Sequence, residues 1–413
     1  MLPRASLVAA RLRAASLCPR RARRNMATVA VGVSGGVDSS VAALLMKQEG
    51  HDVIGVHMTN WDSAEEGAPQ ESCVEQEARD ARRVCDELGI GFHRVSFVRE
   101  YWHSVFEPFL QGYDEGGTPN PDVSCNQHIK FDLFHEHARG LGADYVATGH
   151  YARLNAAADG EVQLLTGLDP TKDQTYFLAA VRQEALRRSR FPLGALHKSE
   201  VRRLAAEAGL HTAHKRDSTG ICFIGKRRFD DFLSEYLPQQ PGDFVCIESG
   251  RVVGQHRGYA LYTPGQRARL GGSPARYYVV DKDIESNVVR VAKGADHPAL
   301  FTRSLLASSV SWVAGVLPPP LASGERMRCA ARHRYPSDAA GFDCTVEMAD
   351  ATTLRVWFDQ PVSQVAALQI VAFYDGEVCL GGAVIQSREQ SHWDEAAGLQ
   401  HAGWGTNLMH LRG

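Results

Sequence analysis

The chain has 413 residues, of which 44% are hydrophobic, 23% charged and 8% aromatic, with 38 Gly and 18 Pro. This is globular composition, and the length exceeds the roughly 250 to 300 residues that one core usually serves, so two or three domains are expected. No apolar run reaches the ~18 residues of a membrane-spanning helix, which predicts no membrane insertion. Nine scattered cysteines, an odd number with no Cys-x-x-Cys, argue against a secreted disulfide framework and give structural zinc no nucleus.

The net charge of -3 hides an asymmetry. Residues 1–25 carry seven Arg and no acid, and without them 38 basic residues face 48 acidic ones, a net -10. An acid-free, Arg-rich leader with Leu2, Leu7, Val8, Leu12 and Leu17 interspersed reads as a mitochondrial transit peptide, hence a matrix protein, ahead of a basic tail for nucleic acid.

From Thr28 the chain alternates strands at 28–33, 52–58 and 92–97 with helices running to Lys47 and over about 74–88. This predicts an α/β domain, a parallel sheet with helices on both faces. In the second helix Ser72 and Glu75 read as a capping box, Gly89 as the stop, and Val74, Ala78, Ala81, Cys85 and Leu88 as the inward stripe. A helix at about 126–139 leads into a strand at 144–150, and 151–166 reads as a hairpin. Residues 182–228 hold twelve Lys or Arg against four acids, a net +8. After Pro241 come short Gly-broken β runs to about 300, and Leu317-Pro318-Pro319-Pro320 sits near the start of a second β unit read as a barrel. The expected division is 1–25 leader, 26–235 catalytic domain with the basic segment, 236–303 central β-rich domain, 304–390 β-barrel and 391–413 irregular tail.

The first strand runs into Gly32-Val33-Ser34-Gly35-Gly36-Val37-Asp38-Ser39-Ser40 and then a helix. Strand, glycine turn and helix together aim backbone N–H groups at an anion, and the serines add hydroxyl donors. A kinase-type P-loop would need G-x-x-x-x-G-K-[ST], yet no lysine precedes Lys47. At 118–131 stands TPNPDVSCNQHIKF, in which Cys125 is expected at a helix start, where the N-terminus favours thiolate. Asp122, three residues earlier, is a candidate proton acceptor or donor. A second cysteine, Cys222, lies in DSTGICFIG (217–225), in what reads as a short strand; as a core residue between Ile221 and Phe223 it reads equally well. His135-Glu136-His137 occupies alternate positions of a helix, which do not face one site, and reads as surface rather than metal ligands.

The loop at 32–40 resembles the pyrophosphate-loop enzymes that adenylate a substrate with ATP. Taken with NWD (60–62), TPNPDVSCN, TGHYAR (148–153), KDQTYFL (172–178), DSTGICFIG, YTPGQR (262–267) and FYDGEVCLGG (373–382), the sequence from about residue 28 to 385 closely resembles the tRNA 2-thiouridylase family, and the leader points to its mitochondrial branch. One departure is Ala366-Ala367-Leu368-Gln369, where the family usually has Thr-Pro-Gly-Gln; the Gln survives, but the turn does not match.

The resemblance implies ATP held by Gly32, Val33, Ser34, Gly35, Gly36, Val37, Asp38 and Ser39, with Met58 and Gly149 nearby and Mg2+ near Asp38. It implies adenylation of the C2 oxygen of the wobble uridine of mitochondrial glutamate, glutamine and lysine tRNAs. A persulfide on Cys222 would then supply sulfur, with Cys125 attacking it to leave a Cys125–Cys222 disulfide and Asp122 assisting proton transfer. The partners implied are tRNA, a persulfide sulfur donor derived from a cysteine desulfurase, and a reductant. Thr118, Pro119 and Asn120 would touch the base, and His150, Lys172, Asp173, Gln174, Arg334, Tyr335 and Gln369 would lie near the tRNA. Phosphate contacts are expected from the basic segment: Arg182, Arg187, Arg188, Lys198, Arg202, Arg203, Lys215, Arg216, Lys226, Arg227 and Arg228. The rival readings are an amide synthetase, which would need an ammonia source and no paired cysteines, and a catalytically idle tRNA-binding protein.

Overall fold

The computed structural model describes residues 26–61, 73–156, 161–217, 221, 223–225, 227–272, 275–335, 341–389, 391 and 393. The leader, Ser72, the hairpin turn at 157–160, Cys222, Lys226 and most of the 391–413 tail lie outside the described residues.

The first sheet is wholly parallel and combines β1 (Thr28–Gly32), β2 (Asp52–Thr59), β3 (Gly91–Ser96) and β4 (Tyr145–Ala147). After the hairpin β5 (Ala152–Ala156) and β6 (Val162–Thr166) it gains β7 (Ser189–Arg190), giving the order β3-β2-β1-β4-β7. Side chains alternate across β1: Val29 and Val31 join the core beneath α1 (Val37–Gln48) and α2 (Cys73–Leu88), while Ala30 joins the core on the other face. All three are fully buried, as a strand covered on both sides requires. The inward stripe of α2 is Ala78, Ala81, Cys85 and Leu88, joined by Val84, whereas Val74 is only half-buried. Glu75 reaches Arg94 across the sheet edge at 2.6 Å.

The second face is covered by two helical runs, each with a π-wound stretch, a feature frequent at functional sites. One is Val98–Tyr101, π-wound Trp102–Phe106 and α3 (Glu107–Asp114); the other is Pro121–Ser124, π-wound Cys125–Leu133 and α4 (Phe134–Gly140). The helix expected from about 126 therefore begins a full turn earlier.

The hairpin pairs Ala152 with Thr166, but β6 attaches to a strand of the C-terminal domain through Leu164 and Leu165 rather than to the parallel sheet. The central domain is a five-stranded sheet, order β10-β11-β12-β8-β9, from β8 (Gly242–Cys246), β9 (Val252–His256), β10 (Arg267–Ala268), β11 (Tyr277–Asp283) and β12 (Val288–Lys293). The last domain comprises β13 (Phe301–Trp312), β14 (Met327–Arg332), β15 (Phe342–Met348), β16 (Leu354–Ser363), β17 (Ile370–Asp375) and β18 (Val378–Arg388), and pairing of β13 with β18 closes a six-stranded barrel. Closure removes free edges. The proline run follows the first barrel strand, near the start of the domain, where Pro319–Ala322 forms a short helix. At the start of the tail, buried Ser391 bridges to Thr302, and the Trp393 ring lies 5.0 Å from that of His297.

Candidate active site

At the C-terminal end of β1 the backbone turns at Gly35 with φ +74°. A β-carbon there would stand 2.7 Å from the Glu77 carbonyl oxygen, so both conformation and space demand glycine. At Gly149 a β-carbon would sit 2.9 Å from the Asp38 carbonyl carbon and the Ser39 nitrogen, inside the loop. Met58 packs on Gly32 from the neighbouring strand. Buried His57, unnoticed in the sequence, approaches the Val33 carbonyl with Nδ1 at 2.9 Å and ties the loop entrance to β2. The hydroxyls of Ser34 and Ser39 lie 3.1 Å apart, and Ser40 donates to the Gly36 carbonyl at 2.7 Å. Gly36 caps α1 without a side-chain bond, so the first-turn N–H groups remain available to an anion.

The cation that local sequence denies this loop comes from α6 (Lys198–Glu207), which follows α5 (Gln183–Arg187). Lys198 Nζ donates to both carboxylate oxygens of Asp38 at 2.7 Å and pairs with Asp217 at 3.0 Å. Tyr151 donates its hydroxyl to Asp38 Oδ1 at 2.7 Å. Asp217 also receives Lys172 at 2.9 Å and Arg202 at 2.6 Å. Burial by itself would raise the Asp217 carboxyl, but the hydrogen bonds from Lys172 and Lys198 outweigh it and hold it at about 2. Lys215 donates to the Gly35 carbonyl at 2.9 Å and to Asp80 at 2.6 Å, clamping the loop to α2. Lys198, Arg202 and Lys215, expected to hold RNA phosphates, are therefore committed to the nucleotide loop and its carboxylates. Arg203 and Arg227 lie on Glu207 and Glu235, whereas Arg182, Arg187, Arg188 and Arg216 are exposed.

Asn120 caps the helix that carries Cys125: its Oδ1 accepts from the N–H groups of Asp122 and Val123 at 3.2 and 3.4 Å. Cys125 thus stands one turn inside the helix rather than at its first residue, and it is buried. Asp122 occupies the first turn, and burial raises its carboxyl against the opposing charge of Lys130, which suits a group that must take or give a proton. Cys125 shares its core cluster with Phe223 and Ile224, the residues following Cys222. Phe223–Gly225 is a turn, not the expected strand. The Phe223 ring anchors it among Trp61, Phe106, Phe109 and Phe232, with centroids 5.1 to 5.6 Å away.

Thr118, expected at the base, is buried where three domains meet. Its N–H donates to the Ala367 carbonyl at 2.8 Å, its carbonyl accepts from Gln369 Nε2 at 2.7 Å, and its hydroxyl lies 3.2 Å from that of Thr263. The atypical turn holds this shape with Leu368 at φ +67°, a conformation a glycine would adopt without strain. Pro119 and Asn120 follow, half-buried. Gln369 therefore positions the backbone at Thr118.

Asp173 is no surface contact either: it is buried, pairs with Arg332 of the barrel, and accepts from the Gly167 N–H at 2.9 Å. His150 is buried with Nδ1 2.8 Å from the Thr148 hydroxyl, and burial pushes its imidazole well down, so it is a neutral core histidine. Gln174 accepts from the Tyr151 N–H at 3.0 Å. Among the expected tRNA contacts Tyr335 is exposed, with its ring 4.6 Å from that of Phe177, and Lys172 and Arg334 are half-buried. His135 and His137 are half-buried, not surface groups, and His135 Nε2 lies 3.3 Å from the Ser189 hydroxyl.

A glycine-serine loop between a parallel strand and a helix, with an acid at the helix start and lysines over it, defines an α/β nucleotide-binding enzyme domain of the pyrophosphate-loop kind. Residues 27–226 match the family described as tRNA methyl transferase HUP domain, 230–293 its PRC-barrel domain, and 302–385 the aminomethyltransferase beta-barrel domain. The chain is 48% identical to the tRNA-specific 2-thiouridylase MnmA of Alkaliphilus oremlandii, over 86% of this chain and 96% of the relative. It is 50% identical to that of Pseudomonas aeruginosa over 91% and 97%, and 49% identical to that of Francisella tularensis over 86% and 98%. The chain belongs to the tRNA-specific 2-thiouridylase family. A solved 4-thiouridine synthetase–RNA complex with bound ATP aligns at 17% identity and TM-score 0.31, over 51% of this chain and 50% of that one.

Proposed function

We propose that this enzyme 2-thiolates the wobble uridine of mitochondrial glutamate, glutamine and lysine tRNAs in the matrix. The coarse activity, ATP-using tRNA sulfur transfer, is that of its family. The finer reading rests on one observation above all: Cys125 is buried in one apolar cluster with Phe223 and Ile224, the two residues that follow Cys222, on the second face of the nucleotide-loop domain's sheet.

ATP would lie along Ser34–Ser39, with its phosphates on the first-turn N–H groups of α1 and the ring-side loop closed by Gly149 and Met58. Both oxygens of Asp38 are already bonded, so this carboxylate fits Mg2+ only by exchanging the Lys198 ammonium for it; the ion would supply charge neutralisation on the phosphates. Lys198 keeps Asp217 as a partner through that exchange. Attack of the uridine C2 oxygen on the α-phosphate expels pyrophosphate and turns a poor leaving group into AMP. Cys125 then attacks the inner sulfur of a Cys222 persulfide. The terminal sulfur, released with the electron pair of the S–S bond, displaces AMP at C2, and a Cys125–Cys222 disulfide remains for a two-electron reductant. Asp122 takes up the proton, as its raised carboxyl allows. The aromatic cluster around Phe223 keeps water from the adenylate.

The test is mass analysis of the wobble nucleoside after incubation with tRNA, ATP and a persulfide donor. A gain of sulfur at uridine that requires all three supports the reading. ATP turnover with unmodified uridine would refute it.

A further inference from the structure

At the opposite end of the parallel sheet from the nucleotide loop lies a cavity of about 490 Å³ lined by Arg139, Arg187 and Arg188 together with Asp144 and Tyr145. Arg139 comes from the last turn of α4 and Arg187 from that of α5, so two sequence-distant helices end on one opening. Because Tyr145 begins β4 and pairs with Val29 near the start of β1, the opening sits at the N-terminal end of strands whose C-terminal end carries the loop. The two sites are therefore separated by about the length of β1, on the order of 16 Å for five residues.

Three guanidiniums against one carboxylate leave an excess of two positive charges. Among the described residues none of the three makes an ion pair or side-chain hydrogen bond, whereas Arg94, Arg203 and Arg328 each lie on a carboxylate. Asp144 offsets one of the three charges without forming an ion pair, and its Oδ2 accepts the Thr28 N–H at 2.9 Å. Arginine at a helix C-terminus is ordinarily explained by the macrodipole, but α5 has only five residues and little dipole to complement. A small anion is usually retained by backbone N–H groups at a helix N-terminus. Here both helices present carbonyls, so an anion can be held only by the outward guanidinium forks, which are exposed and suit a passing phosphodiester chain.

We propose that this cavity is a second phosphate site, which takes the RNA backbone of the substrate at a point remote from the reacting uridine. The inference rests on the tRNA reading above. It adds register: the loop domain is gripped at both ends of its strands, so a substrate must be long enough to reach both.

The experiment compares wild type with Arg187→Gln/Arg188→Gln and with the charge-keeping Arg187→Lys/Arg188→Lys, all as full chain. The expected result is a rise in KM for full-length tRNA of about tenfold in the Gln variant, with kcat retained. The slope of log affinity against log salt should become shallower by about 1 to 2, since each phosphate contact contributes ~0.7 to 0.9. The Lys variant should keep the wild-type slope. Identical KM and slope in wild type and Gln variant would overturn the inference while leaving thiolation intact; failure of wild type to bind tRNA would instead remove the reading beneath it. Titration with inorganic phosphate separates the other source: tight phosphate binding lost in the Gln variant, with tRNA affinity untouched, would overturn RNA as the occupant.

Discussion

Replacing Lys198 by Gln removes an ammonium that touches both Asp38 and Asp217. Its side chain is only 13% exposed, and the carboxylates it joins are 33% and 28% exposed, so the pair is neither a solvated surface bridge nor a fully dry one. Exposed pairs contribute up to about 1 kcal/mol and breaking buried ones costs about 3 to 5, so a loss of about 2 kcal/mol is expected. For a domain of roughly 200 residues that lowers Tm by about 4 to 8 °C. Among the described residues Asp217 keeps Lys172 and Arg202, while Asp38 keeps only the Tyr151 hydroxyl, so the damage should centre on the loop. During adenylation a positioned cation beside the triphosphate is lost as well, and removing one such preorganised group typically costs about 10²- to 10³-fold in kcat. The assays are thermal melting and tRNA-dependent pyrophosphate release, with Lys198→Arg as the charge-keeping control. A Gln variant that melts normally and releases pyrophosphate at the wild-type rate would refute the reasoning, since Lys198 would then be a bystander.

Cys222→Ser should abolish thiolation and carry no sulfane sulfur, whereas Cys125→Ser should accept sulfur without passing it on; both should still adenylate tRNA, and equal thiolation by either variant would defeat the scheme. Gln369→Leu leaves the buried Thr118 carbonyl without its 2.7 Å donor, so about 1 to 3 kcal/mol of loop positioning should disappear and appear as a lower kcat/KM for tRNA at unchanged ATP affinity. Arg332→Met strands the buried Asp173 carboxylate and should cost about 3 to 5 kcal/mol in a urea unfolding midpoint; a normal midpoint would show that the barrel is not held to the catalytic domain by this pair. Burial pushes His135 and His333 down to about 4, so between pH 6.5 and 4 the unfolded chain binds protons that the native one refuses, and stability should fall as pH falls through that window. The Asp217 carboxylate adds a second loss below about pH 4, as pH approaches its folded value of about 2. Urea midpoints flat from pH 7 to 4.5 would contradict the histidine assignment.

The nucleotide loop was legible in the sequence because its determinants are local. A strand, the Gly35-Gly36 turn and a helix start fall within ten consecutive residues, and only glycine tolerates the φ of +74° at Gly35. The parallel sheet was legible for the same reason, since its alternation of apolar strands and amphipathic helices repeats along the chain. The helix of Cys125 was visible too, although its start was placed late, because Pro121 sits at the first helical position and the Asn120 cap was read as loop. What the sequence could not show is which charges meet. Lys198 and Asp38 are 160 positions apart and Arg332 and Asp173 are 159, and no spacing rule reaches that far. The basic segment therefore looked like one RNA-binding surface, when folding turns Lys198, Arg202 and Lys215 inward onto carboxylates and leaves Arg187 and Arg188 outside with Arg139. The turn at Leu368 carries the same lesson. Its sequence departs from the family, yet two hydrogen bonds to Thr118 and packing of Leu368 on Gly112 and Gly117 hold the backbone where local preference would not, because tertiary contacts outweigh a strain of about 1 to 3 kcal/mol.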